Sequence, residues 1–252
     1  MTRGRSGNGM RPAERPLDET ASAPRFFVMV GGPGAGKGTQ AQRLAVALDV
    51  PHVSSGDLFR AALESGSPLG SEARRFMDRG ALVPDELTVR MVAQRLDDPD
   101  ARRGAILDGF PRTVPQARAL DRLLDRRGAG VEAALYIDVA PDELLRRLSG
   151  RWICRGPEQH VYHERSRPPL RAGICDIDGT KLRQRADDRP ATIRTRLAEQ
   201  LPPMYEVVDH YTDSGLLVAV PGEDTVEAVT SSLLGAIGKH GERPAPVPGM
   251  RA

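Results

Sequence analysis

Residues 31–39, Gly31-Gly32-Pro33-Gly34-Ala35-Gly36-Lys37-Gly38-Thr39, set one lysine inside a glycine-rich run. Such a run lets backbone N–H groups turn inward onto an anion. The helix that follows presents its positive end, and Lys37 adds a point charge, so the segment is suited to cradle nucleotide phosphates. The usual Ser/Thr after the lysine is Gly38 here, and a hydroxyl arrives one residue later, at Thr39. Only three of the 36 basic residues are lysines, Lys37, Lys181 and Lys239; a general preference for arginine explains the imbalance, but it sets Lys37 apart. The two cysteines, Cys154 and Cys175, lie in a segment rich in Pro, Gly and Arg. With no export signal expected, metal ligation or free thiols are better readings for them than a disulfide.

A phosphate cradle needs a strand before it and a helix after it, and the pattern supplies both. Short β-type runs over 25–31, 52–54, 104–108, 133–139 and 215–220 alternate with helical stretches over 37–48, 114–127, 142–148, 189–209 and 225–237. That alternation predicts an α/β fold with a parallel sheet covered on both faces, and a ligand at the carboxyl ends of its strands. Two segments break it: 55–84, with two short helix-like pieces, and 151–188, which carries both cysteines. Both read as insertions on the nucleotide face. Residues 1–24 and 240–252 lack apolar periodicity and are expected to be disordered.

With 252 residues the chain has length for one sizeable core. A net charge of +2, from 36 basic and 34 acidic residues, gives no reason to expect a nucleic-acid or membrane surface. The apolar run 26–30 is too short for a signal-peptide core or a membrane span, so a soluble, cytoplasmic protein is expected.

A phosphate loop written GGPGAGKGTQ resembles that of adenylate kinases, and the resemblance extends over about 25–237. It continues through Ser54-Ser55-Gly56-Asp57-Leu58-Phe59-Arg60, then Gly80-Ala81-Leu82-Val83-Pro84-Asp85, then Leu107-Asp108-Gly109-Phe110-Pro111-Arg112-Thr113 with Gln116. It implies a three-layer P-loop kinase core with a five-stranded parallel sheet, over 25–54, 85–150 and 189–239. An AMP-binding insertion (55–84) and a larger lid (151–188) are added. The implied reaction is Mg²⁺-dependent transfer of the ATP γ-phosphoryl group to AMP, giving two ADP, by a monomer whose partners are these small nucleotides. For ATP the resemblance implies Gly34, Ala35, Gly36, Lys37, Gly38, Thr39, Arg147, Arg151, Val161 and Tyr162. For AMP it implies Ser55, Arg60, Ala81, Leu82, Val83, Gly109, Phe110, Pro111, Arg112, Gln116, Arg185 and Arg196.

Lys37, Arg112, Arg147, Arg151, Arg185 and Arg196 form the implied catalytic set. The nucleophile is already a phosphate oxyanion, so positioned positive charge rather than a side-chain base supplies the catalysis. Gln116 offers the donor and acceptor that an adenine edge pairs with. Asp108 is implied to hold Mg²⁺ through water. Ser55 stands where the family commonly has Thr, and Ala81 where it often has Lys. Asp187 and Asp188, at the edge of the lid, either pair with arginines or are solvated.

In one branch of the family the lid holds a structural Zn²⁺ on two ligand pairs. Here Cys175 and Asp178 make the second pair, but Pro157 stands where the partner of Cys154 belongs. The turn 157–160 is about one residue longer than usual, so His160, or else Glu158, is expected to complete a mixed set of Cys154, His160, Cys175 and Asp178. A metal-free lid is the alternative. For the whole chain, the alternatives are a kinase of another nucleoside monophosphate, a GTP-using AMP kinase, and a P-loop ATPase switch or zinc-ribbon module.

Overall fold

The computed structural model describes residues 23–156 and 159–241. Most of the two expected disordered ends, together with Pro157 and the possible ligand Glu158, lies outside them.

A five-stranded, wholly parallel sheet has the order β2-β3-β1-β4-β8. Its strands are β1 (Arg25–Val30), β2 (His52–Ser54), β3 (Gly104–Asp108), β4 (Val131–Asp138) and β8 (Leu217–Pro221). Central β1, Arg-Phe-Phe-Val-Met-Val, is buried from its second residue on, as a strand covered on both faces must be. Helix α1 (Lys37–Leu48) packs with α8 (Val226–Gly241), while α5 (Val114–Asp125) packs with α4 (Asp85–Arg95) and α7 (Pro190–Asp213), giving the three expected layers. The core between them is built from Phe26, Phe27, Met29, Leu44, Ile106, Leu107, Leu120, Leu135 and their neighbours. From β1 the chain runs toward β2 and β3 on one side, with β4 and β8 on the other. The crevice therefore opens at the carboxyl end of β1, where residues 31–36 sit.

Residues 55–84 hold α2 (Ser55–Glu64) and α3 (Pro68–Met77), the two helical pieces expected, which share a small core of Phe59, Ala73, Val83, Leu87 and Met91. Helix α6 (Pro141–Ser149) leads into a second sheet of antiparallel pairs made of β5 (Arg151–Cys154), β6 (Val161–His163) and β7 (Leu182–Arg183), in the order β6-β5-β7.

Several boundaries differ from expectation, among them the end of α7 at Asp213 instead of 209 and the start of β4 at Val131 instead of 133. Helix α4 lies in a stretch assigned no element, although its buried Leu87, Thr88, Met91 and Val92 repeat at helical spacing. Helix α8 runs on to Gly241 rather than stopping at 237. Strand β8 starts at Leu217, not 215, because Gly215 (φ 69°) turns the chain out of α7. The second sheet was not anticipated: strands of two to four residues carry no readable alternation.

Candidate active site

Residues 31–36 leave β1 as a tight loop held by an Ala35 N–H bond to the Gly32 carbonyl (3.1 Å). Gly34 has φ 88°, and a Cβ there would lie 2.9 Å from Leu148, so both backbone sign and space call for glycine. The Lys37 ammonium donates to the carbonyls of Gly31 (2.8 Å) and Gly32 (2.9 Å), which folds the side chain back along the loop. Burial, together with Arg112, Arg196 and Arg151 nearby, lowers its pKa from 10.5 to about 8, against the pull of Asp108.

Asp108 ends β3 with its carboxylate 3.3 Å from His52 Nε2. Burial would raise its pKa, but the His52 bond and the charges of Lys37 and Arg112 hold it below the ordinary value. Gly109 follows at φ 73°; a Cβ there would meet both Arg112 and the Ser55 hydroxyl at 2.8 Å. This close approach lets the Gly109 carbonyl accept from Ser55 Oγ (2.6 Å) and Arg112 Nε (2.8 Å).

Arg112 is held from several sides. Its Nη1 donates to Gln200 (3.0 Å), and its backbone N–H donates to Gln116 Oε1 (2.8 Å), whose Nε2 in turn donates to Asp85 (2.7 Å). Gln116 is buried and keeps one N–H and one lone pair for a base edge. Arg60, on α2, pairs with Asp57. Opposite, Arg147 pairs with Glu143 (2.7 Å), and Arg151 makes a two-point contact with Asp188 (2.6 and 2.7 Å). Arg196 reaches both Asp187 and Asp188 at 3.0 Å. The Asp188 side chain is 1% exposed, so the acidic pair is a buried clamp and not a solvated edge. Burial lowers the pKa values of Arg112 and Arg185 to about 10, with Arg196 adding to the effect at Arg112 and Arg60 at Arg185.

All six catalytic candidates, with Arg60, line one cleft of about 1080 Å³. That is slightly above the usual range for one small ligand, about 300–1,000 Å³. Gly34, Ala35, Gly36, Gly38 and Thr39 line it on one side; Ser55, Ala81, Leu82, Val83, Gly109, Pro111 and Gln116 on the other. Val161 lines it from the small sheet.

One expected position differs. The Phe110 ring is buried in the main core, away from the AMP side, because the chain turns inward after Gly109. Tyr162 touches the cleft, but its hydroxyl faces the lid interior, accepting from the Asp176 N–H (2.8 Å) beside Cys175 Sγ (3.4 Å). Sequence reading also missed His52, Glu143, Gln200 and the loop Gly222-Glu223-Asp224-Thr225-Val226, all of which line the cleft. The Pro221-Gly222 break after a parallel strand was the available signal for that loop.

Cys154, His160, Cys175 and Asp178 come together in the lid, their ligand atoms all within 4.8 Å of one another. Cys154 Sγ lies 3.5 Å from His160 Nδ1 and 3.3 Å from Asp178 Oδ2; Cys175 Sγ lies 3.5 Å from His160 Nδ1, and His160 Nδ1 3.3 Å from Asp178 Oδ2. Metal–ligand bonds of about 2.0–2.3 Å give a tetrahedron with edges of about 3.3–3.8 Å, so the donor set fits Zn²⁺. Thr180 donates twice to Asp178 Oδ1, from its N–H (2.9 Å) and its hydroxyl (2.7 Å), which leaves Oδ2 turned into the cluster.

The family model described as adenylate kinase matches residues 29–216. The chain belongs to the adenylate kinase family. Adenylate kinase of Streptomyces coelicolor is 44% identical over 211 residues, 84% of this chain and 97% of that one. That of Salinispora tropica is 49% identical over the same shares, and that of Lysinibacillus sphaericus 47% over 209 residues, 82% of this chain and 95% of the relative. Membership brings with it the P-loop kinase fold and a nucleoside monophosphate phosphotransferase activity. It removes the support for an ATPase switch or a zinc-ribbon module. Among the described residues no helix is long and apolar enough to cross a membrane.

Proposed function

We propose that this adenylate kinase holds ATP at the glycine-loop end of the cleft and AMP at the Gln116 end, and transfers the γ-phosphoryl group between them to give two ADP. One observation carries the reading: Lys37, Arg60, Arg112, Arg147, Arg151, Arg185 and Arg196 all line one cleft, together with the glycine loop and Gln116.

Backbone N–H groups of residues 34–39 and Lys37 bind the donor phosphates. Arg60 and Arg112 grip the AMP phosphate and align it in line, and Gln116 takes the adenine edge with the backbone near Val83 alongside. Arg147, Arg151, Arg185 and Arg196 neutralise charge on the group in flight. Asp108 would hold Mg²⁺ through water, and the ion would supply positive charge that offsets the charge of the donor phosphates. Residues 55–84 close over AMP and 151–188 over ATP, so that water is excluded and transfer wins over hydrolysis. The enzyme works as a cytoplasmic monomer.

ATP, Mg²⁺ and AMP mixed with the pure protein should yield ADP, with GMP, CMP and UMP poor substitutes and little ATP consumed without an acceptor. Acceptor-independent hydrolysis, or a preference for another monophosphate, defeats the proposal.

Cys154, His160, Cys175 and Asp178 would hold a structural Zn²⁺, which ties β5 to the far loop of a lid whose own core contains little besides Cys154, Tyr162 and Cys175. Elemental analysis of protein purified without added metal should find about one zinc per chain, as one four-ligand set requires. The Cys175→Ala variant should lose the metal and melt its lid at lower temperature while keeping the phosphate contacts. A zinc content near zero, or unchanged melting in the variant, points to a metal-free lid.

A further inference from the structure

We infer that Gln159 is a positioning residue for phosphoryl transfer, tying the larger lid to the AMP-side insertion through one side-chain amide. The inference rests on the two-lid reading above.

Gln159 directly precedes His160 in the turn that brings the metal cluster together, at φ 46°, with its N–H donating to the Gly156 carbonyl (3.1 Å). Its Nε2 donates to Asp57 Oδ1 (3.3 Å), 102 residues earlier in the chain, and its Oε1 accepts from Arg185 Nη2 (3.2 Å). Asp57 lies in the first turn of α2, where its N–H is bonded by Ser54 Oγ and its carboxylate engages Arg60. Arg185 stands at the other end of the lid, with its Nε buried and lacking a hydrogen-bond partner among the described residues. One amide thus joins three chain segments, and all three residues line the cleft.

The chemistry suits an amide and little else. Asp57 needs a donor and Arg185 an acceptor. A glutamine supplies both at once, whereas a carboxylate lacks the donor and an ammonium the acceptor. Because the Asp57 contact exists only when the lid lies against α2, it favours the closed arrangement in which the arginines surround the phosphates. Loss of the tie should therefore weaken binding of ligands that need both lids.

The test is a double-mutant cycle of Gln159→Met and Asp57→Ala. The readout is binding of a bisubstrate mimic, two adenosines joined through five phosphates. Methionine keeps the length of the side chain and removes both hydrogen bonds. Gln159→Met should raise the Kd of the mimic about threefold to tenfold, the size of one or two hydrogen bonds. The KM for AMP should rise by a similar factor, and by more than kcat falls. In the Asp57→Ala background the same change should cost about threefold less. Gln159→Gly, which accepts the left-handed backbone freely, should match the methionine variant and so exclude a folding defect in the turn. An equal loss in both backgrounds, or a fall in kcat with KM unchanged, overturns the inference. A parent protein that fails to bind the mimic at all would instead overturn the two-nucleotide reading, so the two failures are distinguishable.

Discussion

Replacing Lys37 by methionine should lower kcat about a thousandfold while leaving the fold intact. The side chain lies along the glycine loop and, among the described residues, bonds only to the carbonyls of Gly31 and Gly32. It is the single lysine among the nine Lys and Arg residues that line the cleft. Its ammonium can swing from those carbonyls to the phosphoryl oxygens as charge builds on them. A preorganised donor of this kind is worth about 10²–10³ in rate, and cations in phosphoryl transfer about 10³–10⁵. Burial holds the pKa of this group near 8 in the empty cleft, which adds a second signature. Above pH 8 the free enzyme increasingly carries neutral Lys37, so kcat/KM for ATP should fall about tenfold per unit, while kcat stays flatter because bound phosphates restore the proton.

The sign for stability follows from the same shift. Between about pH 8 and 10.5 the unfolded chain binds the proton that the native protein has released, so this group alone makes folding more favourable as pH rises through that window. Steady-state kinetics from pH 6.5 to 9.5 decide the matter. A methionine variant with near-parent kcat, or a pH-independent kcat/KM, sinks the assigned role.

Asp188→Asn should destabilise the ligand-free protein by about 3 kcal/mol, the lower end for breaking a buried ion pair from one side. The carboxylate makes the two-point contact with Arg151 and also bonds Arg196. Its loss leaves the Arg151 guanidinium facing Arg196 with no counter-charge between them. Asp187 retains its own contact with Arg196, which keeps the cost from being larger. Activity should fall about a hundredfold as both arginines lose their fixed orientation. Saturating bisubstrate mimic should recover most of the lost stability, because phosphate oxygens supply the missing negative charge. Denaturant midpoints with and without the mimic measure this directly. An unchanged midpoint in the free protein, or no recovery with the mimic, removes Asp188 from the clamp.

Asp188 also marks the limit of what could be read before the fold was known. Two adjacent aspartates are equally compatible with a solvated edge and with a clamp, since nothing local states which arginine stands opposite. The glycine loop is the opposite case. Strand, turn and helix are contiguous there, and the glycines at positive φ impose the turn wherever the chain is placed. Helix α4 falls between the two. Its buried residues are periodic, but Pro84 at its start makes no side-chain cap, so the boundary signals were weak.

Residue type and spacing determined the phosphate loop and the alternation that makes a parallel sheet, while the resemblance carried by the motifs supplied the family and the four side chains that could gather around a metal. Those features depend on backbone preference and hydrophobic period over a few consecutive residues, or on motifs whose order survives in the linear chain. Tertiary structure alone decided that His52 meets Asp108, that Asp188 is sealed between Arg151 and Arg196, that Phe110 turns into the core, and that Gln159 crosses to Asp57. These pairings join segments far apart in sequence. Which partners meet is set by how the sheet, helices and lid close on one another, and no local pattern carries that information.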